Sequence, residues 1–182
     1  MGKKTKLPDE HRSATFIPNF SKCHAAIISN LMLFSSLPTL LESTEQAREV
    51  AEQILGFFRN VIYPHHTEEE LDLFAAALAC ATPGDEWAWV KSSVERLTLE
   101  HRQVESSWAK IEPELEKIAN GLAGNLDAST VEAIVLDYGV HAAFEETEFL
   151  PLCRSMLDRG GDANQMAALD LSLRMQLPSA AG

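Results

Sequence analysis

Two stretches of the chain decide its fold: residues 65–74 read His-His-Thr-Glu-Glu-Glu-Leu-Asp-Leu-Phe, and residues 141–150 read His-Ala-Ala-Phe-Glu-Glu-Thr-Glu-Phe-Leu. Each stretch begins with a histidine that a glutamate follows four positions later, and the two pairs are His65 with Glu69 and His141 with Glu145. Side chains at positions i and i+4 of a helix lie on one face, one turn apart. Each stretch therefore predicts a helix that directs an imidazole and a carboxylate toward the same point.

The spacing of apolar residues predicts long helices in most of the chain. The most regular series recurs every three or four positions, as on the buried side of a bundle helix: Val90, Val94, Leu97, His101, Val104, Trp108, Ile111, Leu115 and Ile118. The first predicted helix covers about residues 21–36. A second helix begins at residue 43 or 44 and should be kinked by Pro64. A third follows Pro83-Gly84, and a fourth begins with Ser129 as its cap.

These helices and their short connections predict an all-α fold, an antiparallel up-down-up-down four-helix bundle with an additional short C-terminal helix. The chain shows no sustained alternation of the kind that predicts strands. We predict an irregular N-terminal arm over residues 1–18, the bundle over residues 19–158, and a short C-terminal helix and tail over residues 159–182. The last helix could cover the bundle or join two copies in a homodimer.

The composition excludes several classes of partner. The chain has 182 residues and a net charge of −12, so nucleic-acid phosphates and anionic membranes would repel it. No apolar run reaches the ~18 residues of a membrane span, and no apolar core follows the basic first residues, as a secretory signal requires. Cys23, Cys80 and Cys153 lack the paired spacing of zinc sites and are predicted to be reduced thiols. We therefore expect a cytoplasmic protein that binds neither nucleic acid nor membrane.

Four histidines and two glutamates stand at positions where a bundle helix should be apolar. His24 and His101 add to the two motifs, and His101 matches the depth of His65 because each lies sixteen residues from one end of the turn between their helices. A buried carboxylate without a partner costs several kcal/mol, which a cation would offset. Imidazole and carboxylate donors suit iron, manganese or zinc, and six of them suit a pair of redox-active metals. The alternative is that each histidine is an ordinary hydrogen-bonded core residue.

This arrangement resembles the hemerythrin-like, HHE cation-binding domains. The two quoted stretches carry the resemblance together with His24 and His101, and it covers about residues 20–157. It implies a four-helix bundle that holds a non-haem centre of two iron ions, for which manganese or zinc are possible substitutes. By the resemblance, the two glutamates bridge the metals and each ion has two histidines: His24 and His65 for one, His101 and His141 for the other.

The sequence departs from the oxygen-carrying hemerythrins in two places. Those proteins have a second histidine four residues after the third-helix histidine, where this chain has Glu105, and their last motif is His-x4-Asp rather than His-x3-Glu. Glu105 shares the helix face of His101 and is a candidate for an additional ligand, as is His66, which lies about a quarter-turn from His65. These departures argue against reversible oxygen carriage and leave metal binding intact.

The first hypothesis for function is a di-iron protein that binds iron and reacts with oxygen, peroxide or nitric oxide in a sensing, storage or protective role. An alternative is a di-iron oxidoreductase that consumes peroxide or activates oxygen. Tyr138, one turn before His141, could then donate a hydrogen bond or an electron, although a buried tyrosine is more often a core aromatic. A third hypothesis is a bundle whose metal only stabilises the fold, or a domain that signals through a partner.

Overall fold

The computed structural model describes residues 10–37 and 44–159, and within these ranges the chain forms four long helices and no strands. Helix α1 is Glu10–Ser35 and helix α3 is Asp85–Ala119. Helix α2 covers residues 44–80, in which α-helical segments alternate with π-helical turns: Thr44–Phe57, Phe58–Ile62, Tyr63–Glu68, Glu69–Leu73 and Phe74–Cys80. Helix α4 covers residues 128–158 in the same manner: Ala128–Phe144, the π-helical Glu145–Phe149, and Leu150–Asp158. The all-α prediction is confirmed for the described residues.

The first helix is longer than the sequence predicted. It begins at Glu10, whereas the prediction placed an irregular arm over residues 1–18 and a helix start near Ser21. That prediction treated Pro18 as a break. A proline inside a helix removes one hydrogen bond and costs about 3 kcal/mol, yet the surrounding turns can continue through it. The prediction of an irregular conformation for residues 10–18 is therefore wrong.

The cap of α4 also differs from the prediction. The carboxylate of Asp127, and not the side chain of Ser129, accepts the backbone N–H groups of Ser129 and Thr130, both at 3.2 Å. These N–H groups have no partner inside the first turn, so a side-chain acceptor stabilises the helix start by about 1 kcal/mol. The predicted cap at residue 43 and the predicted C-terminal helix lie outside the described residues.

Two apolar clusters form the core. The larger cluster includes Phe34, Phe58 and Trp108, and the smaller one includes Phe74 and Phe149. Helix α1 packs against α2 and α4, and α3 packs against the same two helices. Each large apolar side chain contributes roughly 1.5–3 kcal/mol when it is fully buried, so these clusters hold the helices together. None of the helices in the described ranges combines the length and apolar character that crossing a membrane requires.

A layer of buried polar residues interrupts this core. Along α2, α3 and α4, the buried histidines and glutamates follow the residues of one apolar cluster and precede those of the other. Such a layer would be unfavourable on its own, because buried polar groups lose their contacts with water. The apolar clusters on both sides therefore hold the polar layer in place.

Three π-helical turns mark the region around this layer. The first, Phe58–Ile62, comes shortly before Pro64, where the missing N–H of proline disrupts the regular hydrogen bonding and where a kink was predicted. The other two begin at Glu69 and at Glu145, the glutamates of the two repeated motifs. A π-turn is rare and often lies at a functional site. The same irregularity therefore recurs at the same residue of both motifs.

Candidate metal centre

The six residues that the sequence indicated come together in two overlapping groups. The first group is His24, His65, Glu69 and Glu145, and the second group is Glu69, His101, His141 and Glu145. Within each group of these described residues, one nitrogen or oxygen atom per side chain lies within 4.8 Å of the others. All six side chains are buried, and the two glutamates are 0% exposed. The glutamates belong to both groups, which is the arrangement that a pair of bridged ions needs.

Each shared glutamate reaches histidines from more than one helix. Glu69 Oε1 lies 3.3 Å from His65 Nε2 and 3.5 Å from His24 Nε2, while its other oxygen lies 3.3 Å from His101 Nε2. Glu145 Oε2 lies 2.9 Å from His24 Nε2. The π-turn that begins at each glutamate changes the backbone at this position within a helix. Local backbone irregularity and carboxylate contacts thus coincide at both glutamates.

The histidines of the first group hold a proton between them. His24 Nε2 lies 3.1 Å from His65 Nε2, a hydrogen-bond distance at which one ring donates and the other accepts. Burial opposes protonation of His24, but the nearby carboxylates of Glu145 and Glu146, at 2.9 and 2.8 Å, outweigh it and raise the pKa of His24 well above its usual value. Burial lowers the pKa of His65 to about 3. The proton therefore belongs to His24, and His65 offers a lone pair.

The pKa values of the two shared glutamates are shifted in opposite directions. Burial tends to raise the pKa of Glu69, but the imidazoles of His65, His101 and His24 outweigh it and hold that pKa well below the usual range. Burial and the negative charge of Glu69 raise the pKa of Glu145. Without a cation, the centre can keep both carboxylates buried only by holding protons. A metal ion would have to displace these protons, because coordination needs neutral imidazoles and ionised carboxylates.

Several inward-facing atoms of the centre lack a hydrogen bond of good geometry. Among the described residues these are both oxygens of Glu69 and of Glu145 and the Nε2 atoms of His101 and His141, although neighbouring atoms lie within 3.5 Å. A buried polar atom without a partner costs about 1–3 kcal/mol. Nitrogen and carboxylate donors of this kind fit iron, manganese or zinc. The donor set and the unpartnered atoms therefore both fit a bound cation.

An outer layer of carboxylates holds the other nitrogen of three of these imidazoles. The contacts join His24 Nδ1 to Glu146 at 2.8 Å, His101 Nδ1 to Glu70 at 2.9 Å, and His141 Nδ1 to Glu100 at 3.0 Å. Each carboxylate comes from a helix adjacent to that of its histidine. A hydrogen bond at Nδ1 fixes the ring and leaves Nε2 for the interior, as is usual for metal-ligating histidines. We call these three residues the outer carboxylates.

Sequence reasoning found only part of this outer layer. Glu70 and Glu146 each follow a shared glutamate, a position that in the sequence fits either a solvated or a supporting carboxylate, whereas nothing in the sequence analysis indicated Glu100. Glu100 directly precedes His101, and that adjacency was the available signal. Neighbouring residues of a helix point about 100° apart, so one of two adjacent residues can face the centre while the other reaches the next helix.

The two additional ligand candidates lie outside both groups as far as the structure describes the chain. Glu105 Oε1 lies 2.9 Å from His66 Nδ1, and Glu105 Oε2 accepts a hydrogen bond from Arg102 at 2.8 Å. Glu105 was a candidate for an additional ligand, and here an imidazole and a guanidinium hold its carboxylate, so it belongs to neither group. His66 is buried, and its ring stacks on that of His101 with centroids 3.9 Å apart.

Comparison with known protein families shows to which family this chain belongs. The family model of the hemerythrin HHE cation-binding domain matches residues 15–153. The chain belongs to this family. A protein of Haemophilus influenzae, described as an uncharacterized protein, is 27% identical over 130 residues, which are 70% of this chain and 72% of that protein. No solved structure shows a significant match.

One aromatic residue of this HHE domain lies beside the centre. Tyr138 is completely buried, and its ring centroid lies 5.6 Å from that of His141. Burial and the charges of Glu69 and Glu145 raise its pKa well above the usual value, so the phenol keeps its proton. Its hydroxyl has no hydrogen-bond partner in the described part of the chain. Buried tyrosine hydroxyls usually find one, so this donor is unusual.

Proposed function

We propose that this HHE domain is a non-haem di-iron protein that binds two iron ions and reacts with oxygen, peroxide or nitric oxide in a sensing, storage or protective role. The observation that carries the proposal is the pair of buried groups that share Glu69 and Glu145. Membership of a cation-binding family supports the same conclusion. Bound iron would supply electrons to the small oxidant, which the side chains of the centre cannot do themselves.

The donor set supports two metal ions of the iron class. His24 and His65 would hold one ion and His101 and His141 the other, each together with the shared glutamates. Four protein donors leave positions open on an ion that prefers six, and a small ligand can enter there. The sulfur atoms of cysteine take no part in either group of described residues, which argues against a structural zinc site. Manganese and zinc stay alternative occupants.

We also propose the antiparallel up-down-up-down order of the four helices. Residues of the larger apolar cluster come before the polar layer along α2 and α4, and after it along α3. Along α1, most members of the larger cluster follow His24. Neighbouring helices would therefore run in opposite directions, which is the usual order when connections are short. A cytoplasmic location, a homodimer and a small-molecule ligand stay predictions.

Anaerobic reconstitution with ferrous iron tests the proposal. We expect about two iron ions per chain by elemental analysis, because the donors exceed the needs of one ion. We also expect an optical spectrum that changes on exposure to air. The variant Glu148→Gln removes an exposed carboxylate from the same π-turn as Glu145 and should keep full loading. One ion or fewer in folded protein would contradict the dinuclear proposal.

Turnover of peroxide separates the two functional alternatives. A sensing, storage or protective protein would react stoichiometrically or slowly, whereas a di-iron oxidoreductase would consume peroxide over many cycles. The di-iron oxidoreductase is supported by the hydroxyl of Tyr138, which lies beside His141 without a hydrogen-bond partner among the described residues. A buried donor near the centre could take part in such a reaction. Measuring oxygen evolution or substrate oxidation per iron decides between them.

A further inference from the structure

His66 shares two features with the candidate metal ligands His101 and His141, burial and a carboxylate at Nδ1, although it belongs to neither group of described residues. It is 1% exposed, and its Nδ1 lies 2.9 Å from Glu105. Arg102 donates to the same carboxylate at 2.8 Å, so Glu105 is the acceptor and His66 Nδ1 is the donor. With the hydrogen on Nδ1, Nε2 is the acceptor nitrogen of this imidazole, and it has no hydrogen-bond partner among the described residues.

The orientation of this ring follows from one arginine. Arg102 donates to both Glu70 and Glu105, and these carboxylates in turn hold Nδ1 of His101 and Nδ1 of His66. The Nδ1 edges of the two histidines therefore face the same side, and their Nε2 edges face the interior. The two rings are stacked at 3.9 Å with planes only 8° apart. Parallel rings at this separation cannot direct their Nε2 atoms at the same point, so His66 does not share the ion of His101.

The ring of a tyrosine lies near that of His66. The ring of Tyr138 lies 6.2 Å from that of His66 with planes 18° apart, and 5.6 Å from that of His141. The hydroxyl of Tyr138 is also buried and has no hydrogen-bond partner in the described ranges. Two buried groups, an acceptor and a donor, thus flank the two histidines of the second group. Leaving both unpaired costs free energy that a ligand could recover.

We propose that His66 and Tyr138 bind a small protic oxygen ligand, of the class of hydrogen peroxide or water, at the metal position of His101 and His141. His66 Nε2 accepts a hydrogen bond from the O–H group of the ligand, and the Tyr138 hydroxyl donates a hydrogen bond to an oxygen of the ligand. Such a pair favours a ligand that has both a proton and a lone pair over nitric oxide or azide. The inference rests on the proposed function, because it needs metal in the second group.

The test compares iron-loaded wild type with His66→Phe, His66→Gln and Tyr138→Phe. Phenylalanine keeps a ring stacked on His101 but has no acceptor, whereas the glutamine amide oxygen can still accept. For each protein, iron is measured by elemental analysis, azide binding by optical titration, and the half-saturating peroxide concentration by stopped-flow absorbance. Melting of the iron-free proteins shows whether each variant folds.

We expect His66→Phe to keep its iron and its azide affinity while the half-saturating peroxide concentration rises about tenfold, the effect of losing one hydrogen bond. His66→Gln should bind peroxide within about threefold of wild type. Tyr138→Phe, which loses only a hydroxyl, should weaken both azide and peroxide, because either ligand can accept its hydrogen bond.

Three outcomes overturn the inference. Loss of iron in His66→Phe would make His66 a metal ligand. Unchanged peroxide binding in Tyr138→Phe would show that the Tyr138 hydroxyl does not donate to the ligand. This measurement decides the test even if His66→Phe fails to fold. An equal loss of azide and peroxide affinity in His66→Phe would exclude selection for a protic ligand. Wild type without iron would instead contradict the proposed function itself, so elemental analysis separates the two failures.

Discussion

The two groups of the centre share both glutamates but differ in how their imidazoles are held. In the first group, His24 Nε2 lies 3.1 Å from His65 Nε2 and 2.9 Å from Glu145 Oε2. In the second group, the contacts from His101 and His141 to a shared glutamate are 3.3 and 3.5 Å. Their Nε2 atoms have no hydrogen-bond partner in the part of the chain that the structure describes. The two imidazoles of the first group are thus joined by a hydrogen bond, whereas the inward nitrogens of the second group have no such bond among the described residues.

This difference suggests a division of labour within one centre. The hydrogen bond between its two histidines gives the first group a defined geometry before any ion arrives, which favours an anchoring role. The second group has His66 and Tyr138 beside it, two buried polar residues that neither ion would use. We therefore expect exogenous ligands at the second group, and the four experiments below test that comparison.

The largest effect should come from removing a residue that both groups share. Glu145→Ala deletes a donor to both ions and leaves Glu69 to hold them alone, so iron should fall from about two per chain to below one. His24→Ala, which affects the first group only, should retain about one. The iron-loaded melting temperature should fall further for Glu145→Ala, because bound metal stabilises the fold. Elemental analysis and thermal melts check this, with Glu148→Ala as the control for charge.

Full iron loading in Glu145→Ala would show that this glutamate is not a bridge. The corresponding variant Glu69→Ala should behave in the same way, because Glu69 contacts histidines from three helices. A large difference between the two glutamates would mean that one group depends on only one of them.

The next effect separates the two groups directly. His24→Ala and His141→Ala each remove one imidazole donor, so each should lose about one iron per chain. We expect azide binding to survive in His24→Ala and to be lost in His141→Ala, because the open side is assigned to the second group. Optical titration of the anaerobically loaded variants measures this. The opposite pattern would place the exogenous ligand at the first group.

The pH dependence of metal affinity should be strong and positive. His24, His101 and Glu145 all have raised pKa values, so the metal-free centre holds protons near neutral pH that it must release on binding. Affinity therefore increases with pH, by about tenfold per pH unit for each proton released. His65, with a pKa of about 3, adds nothing to this slope above pH 5.

Zinc is a suitable probe for this slope because it undergoes no redox reaction. Competition with a coloured chelator between pH 6 and pH 8 gives the affinity at each pH. His24→Ala removes one of the proton-binding groups and should show a shallower slope than wild type. A slope that is flat in wild type would mean that the centre holds no displaceable protons.

The six central residues were predictable because their signals are local. The i and i+4 spacing of His65 with Glu69 is enough to place two side chains on one face, and apolar periodicity places His101 on a buried face. The outer carboxylates depend on contacts between helices, and Glu146 meets a histidine 122 positions away. Such pairs cannot be identified from one sequence. The π-helical turns could not be predicted from the sequence either, because backbone irregularity depends on how the whole helix packs.

Glu105 shows what a rule based on helix spacing cannot decide. Its spacing from His101 does put both residues on one side of α3, but a side chain on that side can still contact any of several neighbouring groups. His66 and Arg102 supply two charge-assisted or polar hydrogen bonds that the sequence did not reveal. The start of α1 was missed for a related reason, since a proline lowers helix stability without determining where a helix begins.

The smallest expected effect comes from substituting two glutamates of α3. Each supports a histidine, but only one of these histidines belongs to the second group. Glu100 and Glu105 are both half-buried, and each bonds to an imidazole Nδ1 of a neighbouring helix and to an arginine of α3. Glu100 supports His141, a residue of the second group, whereas Glu105 supports His66. Glu100→Gln should therefore weaken zinc affinity about tenfold, the lower end of the effect of losing such support.

Glu105→Gln should leave zinc affinity within about twofold of wild type and instead raise the half-saturating peroxide concentration of the iron-loaded protein a few-fold, since one supporting hydrogen bond weakens. The two variants carry the same change of charge on the same helix, so each is the control for the other. Zinc competition and stopped-flow absorbance measure the two quantities. Equal losses of zinc affinity would make His66 a ligand after all, and the two groups would then differ by one donor rather than by their surroundings.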